Sequence, residues 1–349
     1  MTSFTLRRPS LRAGQLLNTI LGEAGIGLAL SALIVCFSAF APHFGTTQNV
    51  RDIMTQITLN TILAVGMTFI ILVGGIDLSV GSGIALCAVF AGKIMTTSGL
   101  STGLAVPLAI GASVGIGAAI GFANGFVTER WRVPSFIITL GMLYVARGAA
   151  EQYTGAATIF NLPTGLTRFG TATVLGLPAV FVVALLLTAL AWFVLTRTVF
   201  GRLVYAIGNN EEAVRLSGHR TRVIKVVCFV IGGVTVGIAA IIYMARLGVA
   251  SPILGQGYEL NAIAAVVIGG ASLAGGRGSA IGTLLGACLL GVLTNGLLLM
   301  GVSDFERTMI TGGVIILAVV LDAYRRELFT RKPLFARPHA GAAPIEDAS

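Results

Sequence analysis

Long apolar runs and short polar interruptions alternate over most of the chain. A helix needs about 20 apolar residues to cross the hydrocarbon core of a bilayer, and by that measure about ten runs qualify. They lie near residues 20–41, 53–74, 79–97, 103–127, 134–150, 174–196, 226–246, 259–275, 279–300 and 308–323. The pattern therefore predicts an all-α, polytopic membrane helix bundle, in which glycines interrupt the third, eighth and ninth runs.

Two glycine-rich interruptions lie between these runs, GGIDLSVGS at 74–82 and GGASLAGGRGS at 269–279. Neither leaves room for a loop in water, and non-helical backbone at membrane depth is tolerated only where it is buried in protein or lines a cavity. Both contain a glycine pair, a Leu four residues after the first glycine and a final Gly-Ser. Paired interrupted segments are typical of transporters built from repeats. We predict two broken helices; whether they form a true repeat stays open, because one follows the second run and the other the eighth.

Composition supports a membrane protein. Hydrophobic residues make up 55% of the 349 residues and charged residues 11%, whereas soluble proteins average about 25% charged residues. The formal net charge of +9 does not indicate a nucleic-acid-binding protein, because the basic residues lie in short clusters with almost no aromatic residues among them. We therefore expect membrane lipid, and no nucleic acid, around this chain.

Small residues at four-residue spacing indicate where membrane helices pack closely. The chain has 46 glycines, and three series follow this spacing. We expect close helix packing at Gly111 and Gly115, at Gly117, Gly121 and Gly125, and at Gly278, Gly282 and Gly286.

The distribution of Lys and Arg predicts the orientation. With both termini in the cytoplasm, ten spans place on the outside only Arg51, Lys93, Arg147, Arg168, Arg246 and Arg307 of the 23 Lys and Arg residues. This bias follows the positive-inside rule. The sequence then divides into a cytoplasmic segment 1–19, a transmembrane domain 20–323 with a cytoplasmic loop at 197–225, and a cytoplasmic tail 324–349 that is expected to be disordered.

Asp77 lies inside the first interruption. An Asp at membrane depth costs roughly 2.5 to 3.5 kcal/mol on insertion scales, so its side chain should face the bundle interior with a donor nearby. We favour a capping role, in which Asp77 accepts the amides of residues 79 and 80 at the start of a helix near Leu78. Ser79 and Ser82 should help to satisfy the exposed backbone. Direct contact with a solute is the alternative, and the two roles can coexist.

Other polar residues in the runs are candidates for a translocation pathway, although each could equally join neighbouring helices by hydrogen bonds. The complete set of pathway candidates is Asn60, Asp77, Ser79, Ser82, Asn124, Asn261 and Asn295.

The polar stretch YAIGNNEEAVRLSGH at 205–219 predicts a short helix. Asn209 is expected to cap its N-terminus, with Glu212 at the third position, and Gly218 to end it in a left-handed conformation. Isolated helices shorter than about 12 residues are marginal in water, so the membrane surface or a partner must hold this one. Glu211 and Glu212 disfavour an anionic membrane surface, and a protein partner is therefore the preferred interpretation.

The chain shows no catalytic constellation. Gly92-Lys93 lacks the loop of a nucleotide-binding motif, and the histidines are scattered. We expect no enzyme activity, metal or cofactor in this chain. A gradient-driven secondary carrier usually contains several interior acids or histidines, whereas Asp77 is the only acid deep within a run. An independent secondary sugar carrier is therefore the weaker alternative, and a membrane-embedded enzyme is weaker still.

Five stretches together resemble the permease subunits of bacterial ATP-binding-cassette importers for monosaccharides, the ribose, xylose and galactose permease family. They are NTILAVGMTFIILVGGIDLSVGS at 60–82, VPSFIITLGMLYVARG at 133–148, AIGNNEEAVRLSG at 206–218, GGASLAGGRGSAIGTLLGACLLGVLTNGL at 269–297 and GGVIILAVVLD at 312–322. The family usually has a second glycine where Asn209 stands and an apolar residue where His219 stands.

The resemblance implies a fold like that of the larger vitamin-importer permeases, in the bacterial inner membrane, with a monosaccharide such as ribose as substrate. It implies three kinds of partner: a second permease subunit, in a homodimer or heterodimer; cytoplasmic ATPase subunits that hold ATP and Mg²⁺; and an external sugar-binding protein. It also implies that residues 208–218, here named the coupling segment, dock on the ATPase. The residues concerned are Gly208, Asn209, Asn210, Glu211, Glu212, Ala213, Arg215, Leu216, Ser217 and Gly218.

Overall fold

The computed structural model describes the backbone of residues 11–330 and the side chains of residues 24–317, 319 and 320. This part of the chain is almost entirely helical, with one two-stranded hairpin. The elements are α1 (Leu11–Phe40), α2 (Thr47–Leu72), α3 (Val80–Thr97), α4 (Thr102–Trp131), α5 (Ser135–Thr154), α6 (Thr164–Thr171), β1 (Thr173–Val174), β2 (Leu177–Pro178), α7 (Ala179–Arg197), α8 (Val199–Leu216), α9 (Thr221–Leu247), α10 (Tyr258–Ile268), α11 (Ala280–Leu299) and α12 (Asp304–Thr330). In the hairpin, Thr173 pairs with Pro178 and Val174 with Leu177, antiparallel.

Short polar side chains determine where several helices begin. Thr46, Thr198 and Ser279 stand at the starts of α2, α8 and α11. Each hydroxyl accepts a hydrogen bond from the backbone amide three residues later. A hydroxyl at this position satisfies one of the amides that the first helical turn leaves unpaired. Gly248, at φ +70°, ends α9 in the left-handed conformation.

Helices α2 and α9 form the centre of the bundle. The side chains of α2 are buried on nearly every face from Ile57 to Leu72, and α4 packs along α9 through glycines. A Cβ atom at Gly117 would overlap the carbonyl of Gly233, and one at Gly121 would overlap the carbonyl of Phe229. Close approach of these two helices therefore depends on residues without side chains.

The glycine spacing predicted some contacts correctly and others wrongly. A Cβ atom at Gly282 would overlap the carbonyl of Gly269, and one at Gly286 would overlap the carbonyl of Ala265, which confirms close packing there. The prediction for Gly111 and Gly115 is wrong, because no heavy atom lies within 4 Å of a Cβ atom built at either position. Those two glycines lie on a face of α4 that contacts no other described element.

Six helices in the described part of the chain are long and apolar enough to cross a membrane: α2, α3, α4, α7, α9 and α11. The expectation of about ten spans is therefore confirmed only in part. The run predicted at 259–275 is helical only over Tyr258–Ile268, because the second glycine-rich stretch ends it. The loop expected at 197–225 is largely helical, since α8 occupies Val199–Leu216.

Two predicted segments lie partly outside the described residues. Residues 1–10 of the N-terminal segment 1–19 and residues 331–349 of the tail 324–349 are not described. Within the described range, α1 already begins at Leu11 and α12 continues to Thr330. The helical elements thus extend beyond the predicted transmembrane limits of 20 and 323.

Candidate functional site

The first break comprises residues 73–79, between the end of α2 and the start of α3. The amides of Gly74 and Gly75 still bond to the carbonyls of Ile71 and Ile70, at 2.9 and 2.8 Å. Gly74 then takes φ +77°, which turns the chain away from the helix axis. The predicted helix break is therefore present, and it lies in the protein interior, with Asp77 only 2% exposed.

Asp77 organises a buried polar cluster inside this break. Its Oδ1 accepts the amide of Ser79 at 2.8 Å and the hydroxyl of Ser79 at 2.6 Å. Asn124, from α4, donates its Nδ2 to the Ser79 hydroxyl at 2.9 Å and more weakly to the two Asp77 oxygens at 3.5 and 3.4 Å. Ser82 donates to the carbonyl of Ser79 at 3.0 Å. The expected interior donor for Asp77 is thus the amide group of Asn124.

The capping geometry differs from the prediction by one position. The amide of Ser79 bonds to Asp77 as expected, but within the described residues the amide of residue 80 does not. The helix starts at Val80, and Ser79 stands at the cap position. Asp77 therefore closes a tight turn immediately before α3, instead of capping its first turn.

Two residues that the sequence reasoning missed complete the break. On α5, Ser135 Oγ accepts the amide of Ile76 at 2.9 Å and Thr139 Oγ1 accepts the amide of Leu78 at 3.1 Å. Ser135 and Thr139 are four residues apart, so they share one helix face. That spacing of hydroxyls in an apolar helix was the available signal, but their partner is about 60 positions away in the sequence.

The second break comprises residues 269–279, between α10 and α11. Its turn is closed by backbone bonds, from the amide of Ser272 to the carbonyl of Arg277 and from the amide of Gly275 to the carbonyl of Ser272, both 2.9 Å. The amide of Gly276 donates to the carbonyl of Leu72, at the end of α2, also at 2.9 Å. The second break therefore bonds to the last residue of α2, directly before the first break.

The coupling segment begins inside α8 and contains a kink. Asn210 has the non-helical angles φ −161° and ψ 92°, and its Oδ1 accepts the amide of Ala213 at 3.0 Å. Asn210 is thus the N-cap, and the prediction of Asn209 is wrong by one residue. The reason is tertiary: Asn209 Nδ2 donates to the carbonyl of Tyr205 at 2.8 Å and to that of Gly276 in the second break at 3.2 Å.

The helical turn that follows, residues 211–216, has two different faces. Val214 is buried and Glu211 points inward, where its Oε2 lies 3.0 Å from Lys225 Nζ on α9. Glu212, Arg215 and Leu216 point outward, and Leu216 is 75% exposed. Arg215 bonds to Glu212, and this bond lowers the pKa of the Glu212 carboxyl group. Ser217 bonds back to Ala213, and Gly218 ends the helix at φ +85°, as predicted.

Gly208 connects the coupling segment with the end of α2 and with the second break. A Cβ atom at this position would overlap the carbonyl oxygen of Leu72 and the amide nitrogen of Gly276. Tyr205, one turn earlier on α8, donates its hydroxyl to the carbonyl of Gly278 at 2.8 Å. We name the contact of Leu72, Gly208, Asn209 and Gly276 the junction. Three distant parts of the sequence meet there through their backbones.

The other pathway candidates lie apart from this cluster. Asn295 donates to Asn49 Oδ1 at 3.0 Å, a bond between α11 and α2. Asn60 and Asn261 are half-buried on α2 and α10. Within the described residues the buried Oδ1 of Asn60 has no hydrogen-bond partner. The structure thus brings together Asp77, Ser79, Ser82 and Asn124 and separates the remaining three.

An open cleft of about 960 Å³ lies beside the coupling segment. Its walls come from the first break, the connection between α4 and α5, the coupling segment and the beginning of α9. The charged residues that line it are Glu129, Arg132, Glu211, Glu212, Arg215, Arg220, Arg222 and Lys225. The cleft joins the polar end of the bundle to the first break.

Comparison with known proteins identifies the family. Residues 49–320 match the family described as "Branched-chain amino acid transport system / permease component". The chain is 43% identical over 303 residues to the ribose import permease protein of Escherichia coli strain K12, covering 84% of this chain and 92% of that protein. It is 41% identical over 306 residues to the ribose import permease protein of Bacillus subtilis strain 168, covering 87% and 93%.

A more distant relative is the D-allose transport system permease protein of Escherichia coli strain K12, 34% identical over 299 residues, with 85% of this chain and 90% of that protein covered. No solved structure matches the chain significantly. The match over residues 49–320 contains the breaks, the junction and the coupling segment. The chain therefore belongs to the family of permease components of the branched-chain amino acid transport system.

Proposed function

We propose that this chain is the membrane permease subunit of an ATP-driven importer for a monosaccharide. The family name refers to branched-chain amino acids, but relatives that are 34% to 43% identical to this chain include permeases named for ribose and D-allose. An aldose of five or six carbons is therefore the substrate class. ATP and Mg²⁺ belong to a separate ATPase subunit, and an external binding protein delivers the sugar.

The observation that carries this proposal is the junction. A subunit that converts ATPase movement into transport needs a mechanical connection between its docking surface and its interior. Gly208 contacts Leu72 at the end of α2 and Gly276 in the second break, and Asn209 bonds to the second break at 3.2 Å. A displacement of the coupling segment therefore reaches α2 and α11 together. ATP-dependent closure of the ATPases would in this way bias the bundle between outward-open and inward-open states.

The outward face of the coupling segment is the docking surface. Leu216 is 75% exposed at the end of the helical turn, beside the ion pair of Glu212 and Arg215. An exposed leucine flanked by charges suits a protein groove, because the leucine contributes apolar burial and the charges contribute orientation. The ATPase subunit is the partner that we assign to this face.

The finer topology is also part of the proposal. Ten crossings, with both termini in the cytoplasm, place the coupling segment on the cytoplasmic side and the hairpin β1–β2 outside. The four crossings beyond the six apolar helices are α1, α5, α10 and α12. With 30 and 20 residues, α1 and α5 are long enough to cross the hydrocarbon core. Helix α10 has 11 residues and needs the second break to complete its crossing. A second permease subunit covers the bundle faces that contact no described element.

Reconstitution tests the function directly. Proteoliposomes containing this chain, its cognate ATPase subunit and the sugar-binding protein should import labelled ribose, allose or arabinose only when ATP is enclosed with the ATPase. Sugar uptake driven by a proton or sodium gradient without the ATPase would favour the secondary carrier instead. ATP-dependent uptake of leucine, with no uptake of any sugar, would overturn the substrate class.

The docking face has its own test. Leu216→Asp should abolish co-purification of the ATPase, because it places a charge in the proposed groove. Leu175→Asp is the matched control, since Leu175 is 99% exposed in the turn of the hairpin, at the opposite end of the bundle. Normal ATPase binding by the Leu216 variant would refute the docking assignment.

Cysteine labelling tests the topology. In a background without Cys36, Cys87, Cys228 and Cys288, positions near 160 and 252 should react with an impermeant reagent in sealed cells. Positions near 210 and 335 should react only after the cells are opened. External labelling at position 210 would contradict the proposed orientation.

A further inference from the structure

The two neighbouring acids of the coupling segment have different surroundings. Glu212 is exposed and pairs with Arg215 three residues later, so that pair stays within the coupling segment. Glu211 instead pairs with Lys225 on α9, a different element. Of the ion pairs in the described part of the chain, this is the one that ties the coupling segment to the bundle.

Lys225 holds two carboxylates at once. Its Nζ lies 2.7 Å from Glu129 Oε1 on the last turn of α4 and 3.0 Å from Glu211 Oε2. The side chain of Glu129 is 9% exposed and that of Glu211 is 43% exposed, with Lys225 between them at 18%. The bond to Glu129 is therefore well shielded from water, whereas the bond to Glu211 is accessible to it. A shielded ion pair resists screening more than an accessible one.

The buried end of this chain of contacts leads to the first break. Glu129 is on the same helix, α4, as Asn124, which lies five residues earlier and donates to Ser79 Oγ at 2.9 Å and to Asp77. A stiff helical turn thus connects the Lys225–Glu129 pair to the Asp77 cluster. The outer end leads to the coupling segment through Glu211. Glu211 and Asp77 are therefore linked by side-chain contacts at both ends and by the backbone of α4 between Glu129 and Asn124.

We infer that Lys225 is a positioning residue that couples the coupling segment to α4 and the first break, through a permanent bond to Glu129 and an exchangeable bond to Glu211. This inference rests on the proposed function. It adds a second connection to the junction: the junction transmits movement to α2 and α11, and Lys225 transmits it to α4. The alternative is that Lys225 only neutralises the buried Glu129. In that case Glu211 is dispensable for coupling.

Amide hydrogen exchange of the purified chain tests the contact without any partner. Glu211→Gln removes the charge of the outer partner, so the ion pair is reduced to a hydrogen bond with a neutral acceptor at most. Lys225 keeps its bond to Glu129, so folding is not endangered. Loss of a partly exposed ion pair should speed exchange in the peptide covering 208–219 by about two- to fivefold. Arg222→Met is the matched control: it removes a cation from the same end of α9, and within the described residues Arg222 has no ion pair. Exchange at the wild-type rate in Glu211→Gln would overturn the inference.

Transport assays distinguish a positioning role of Lys225 from simple neutralisation of Glu129. In proteoliposomes, Glu211→Gln and Lys225→Met should each lower the number of sugars imported per ATP hydrolysed, while the ATPase still co-purifies. The double variant should show no loss beyond that of Lys225→Met, because the ion pair to Glu211 is already absent in that single variant. Lys225→Arg should recover most of the ratio, since it restores a cation of similar reach.

The outcomes are distinguishable. A wild-type ratio in Glu211→Gln together with a low ratio in Lys225→Met would show that Lys225 only neutralises Glu129, and the inference would fail. If the wild-type chain imports no sugar with its ATPase, the proposed function fails and the inference fails with it, whatever the exchange rates show.

Discussion

The first and second breaks look alike in sequence but are built by different chemistry. In the first break, the backbone amides of residues 76, 78 and 79 bond to side chains, namely Ser135, Thr139 and Asp77. In the second break, the amides of Ser272 and Gly275 bond to carbonyls of the same turn, and that of Gly276 to the carbonyl of Leu72. The first break is held mainly by polar side chains, whereas the turn of the second break is closed by backbone bonds and is tied to α2 and α8 from outside.

This difference assigns different tasks to the two breaks. A break held by side chains from α3, α4 and α5 changes when those helices move, because its hydrogen bonds depend on their positions. A break closed by its own backbone can move as a unit. The shared glycine pairs and Gly-Ser endings therefore do not establish a structural repeat. Glycine is required in each break independently, because the backbone closely approaches other atoms in both.

The largest loss of stability should come from a change at Gly208, which lies between the end of α2 and the second break. Gly208→Ala places a methyl group against backbone atoms of both Leu72 and Gly276. Neither neighbour is a flexible side chain, so the cost should be at the upper end for overpacking, about 3 kcal/mol. Unfolding of the detergent-solubilised protein in SDS measures this loss. Gly111→Ala is the control, because its Cβ atom meets nothing within 4 Å; equal stability of the two variants would contradict the junction.

The next largest effect should separate the first break from the second. Asp77→Leu leaves the amide and hydroxyl of Ser79 without their acceptor, at a cost of about 2 kcal/mol or more. Asp77→Asn should keep much of the stability and transport, because its amide oxygen can accept the same bonds. Uptake assays with membrane levels checked measure both. If Asp77→Asn assembles normally but loses as much transport as Asp77→Leu, the charge of Asp77 instead binds a solute or a cation.

Matched glycines in the two breaks should respond unequally. Gly74 and Gly275 both have positive φ, +77° and +89°, so alanine at either costs about 1 kcal/mol in backbone strain. At Gly275 a Cβ atom would also lie 3.0 Å from Leu72 O and from Gly74 N, whereas at Gly74 the nearest atom is 3.7 Å away. Gly275→Ala should therefore lose about 1 kcal/mol more than Gly74→Ala. The same SDS unfolding assay decides this, and a larger loss at Gly74 would reverse the comparison.

The smallest effect should come from the side chains on α5. Thr139→Val keeps the shape of the residue and removes the acceptor of the Leu78 amide, at a cost of about 1 kcal/mol. Thr167→Val is the control, because Thr167 is half-buried and its hydroxyl bonds only within its own helix α6, to the carbonyl of Thr164. Hydrogen exchange at residue 78 should accelerate in the first variant alone. No change there would mean that α5 does not support the break.

The periodic apolar runs predicted where most helices lie, because burial in lipid demands long apolar segments regardless of how they pack. The glycine interruptions predicted both breaks, and the GGIDLSVGS and coupling stretches predicted the family, which is confirmed. The wrong predictions are local details set by distant contacts. Asn209 does not cap the helix because its side chain donates to the carbonyls of Tyr205 and Gly276. Gly111 and Gly115 match the packing spacing, but no heavy atom lies opposite them.

Membrane character, the helix breaks and the two acids of the coupling segment are thus properties of the sequence itself, since each follows from residue type and local spacing. Only the tertiary structure decided which backbone amides bond to Ser135 and Thr139. It also brought the end of α2 and the second break together at Gly208, and it gave Glu211 and Glu212 different partners. Adjacent residues on a helix point about 100° apart. Two adjacent residues of the same type therefore have different ion-pair partners, because α9 places Lys225 beside Glu211 and not beside Glu212.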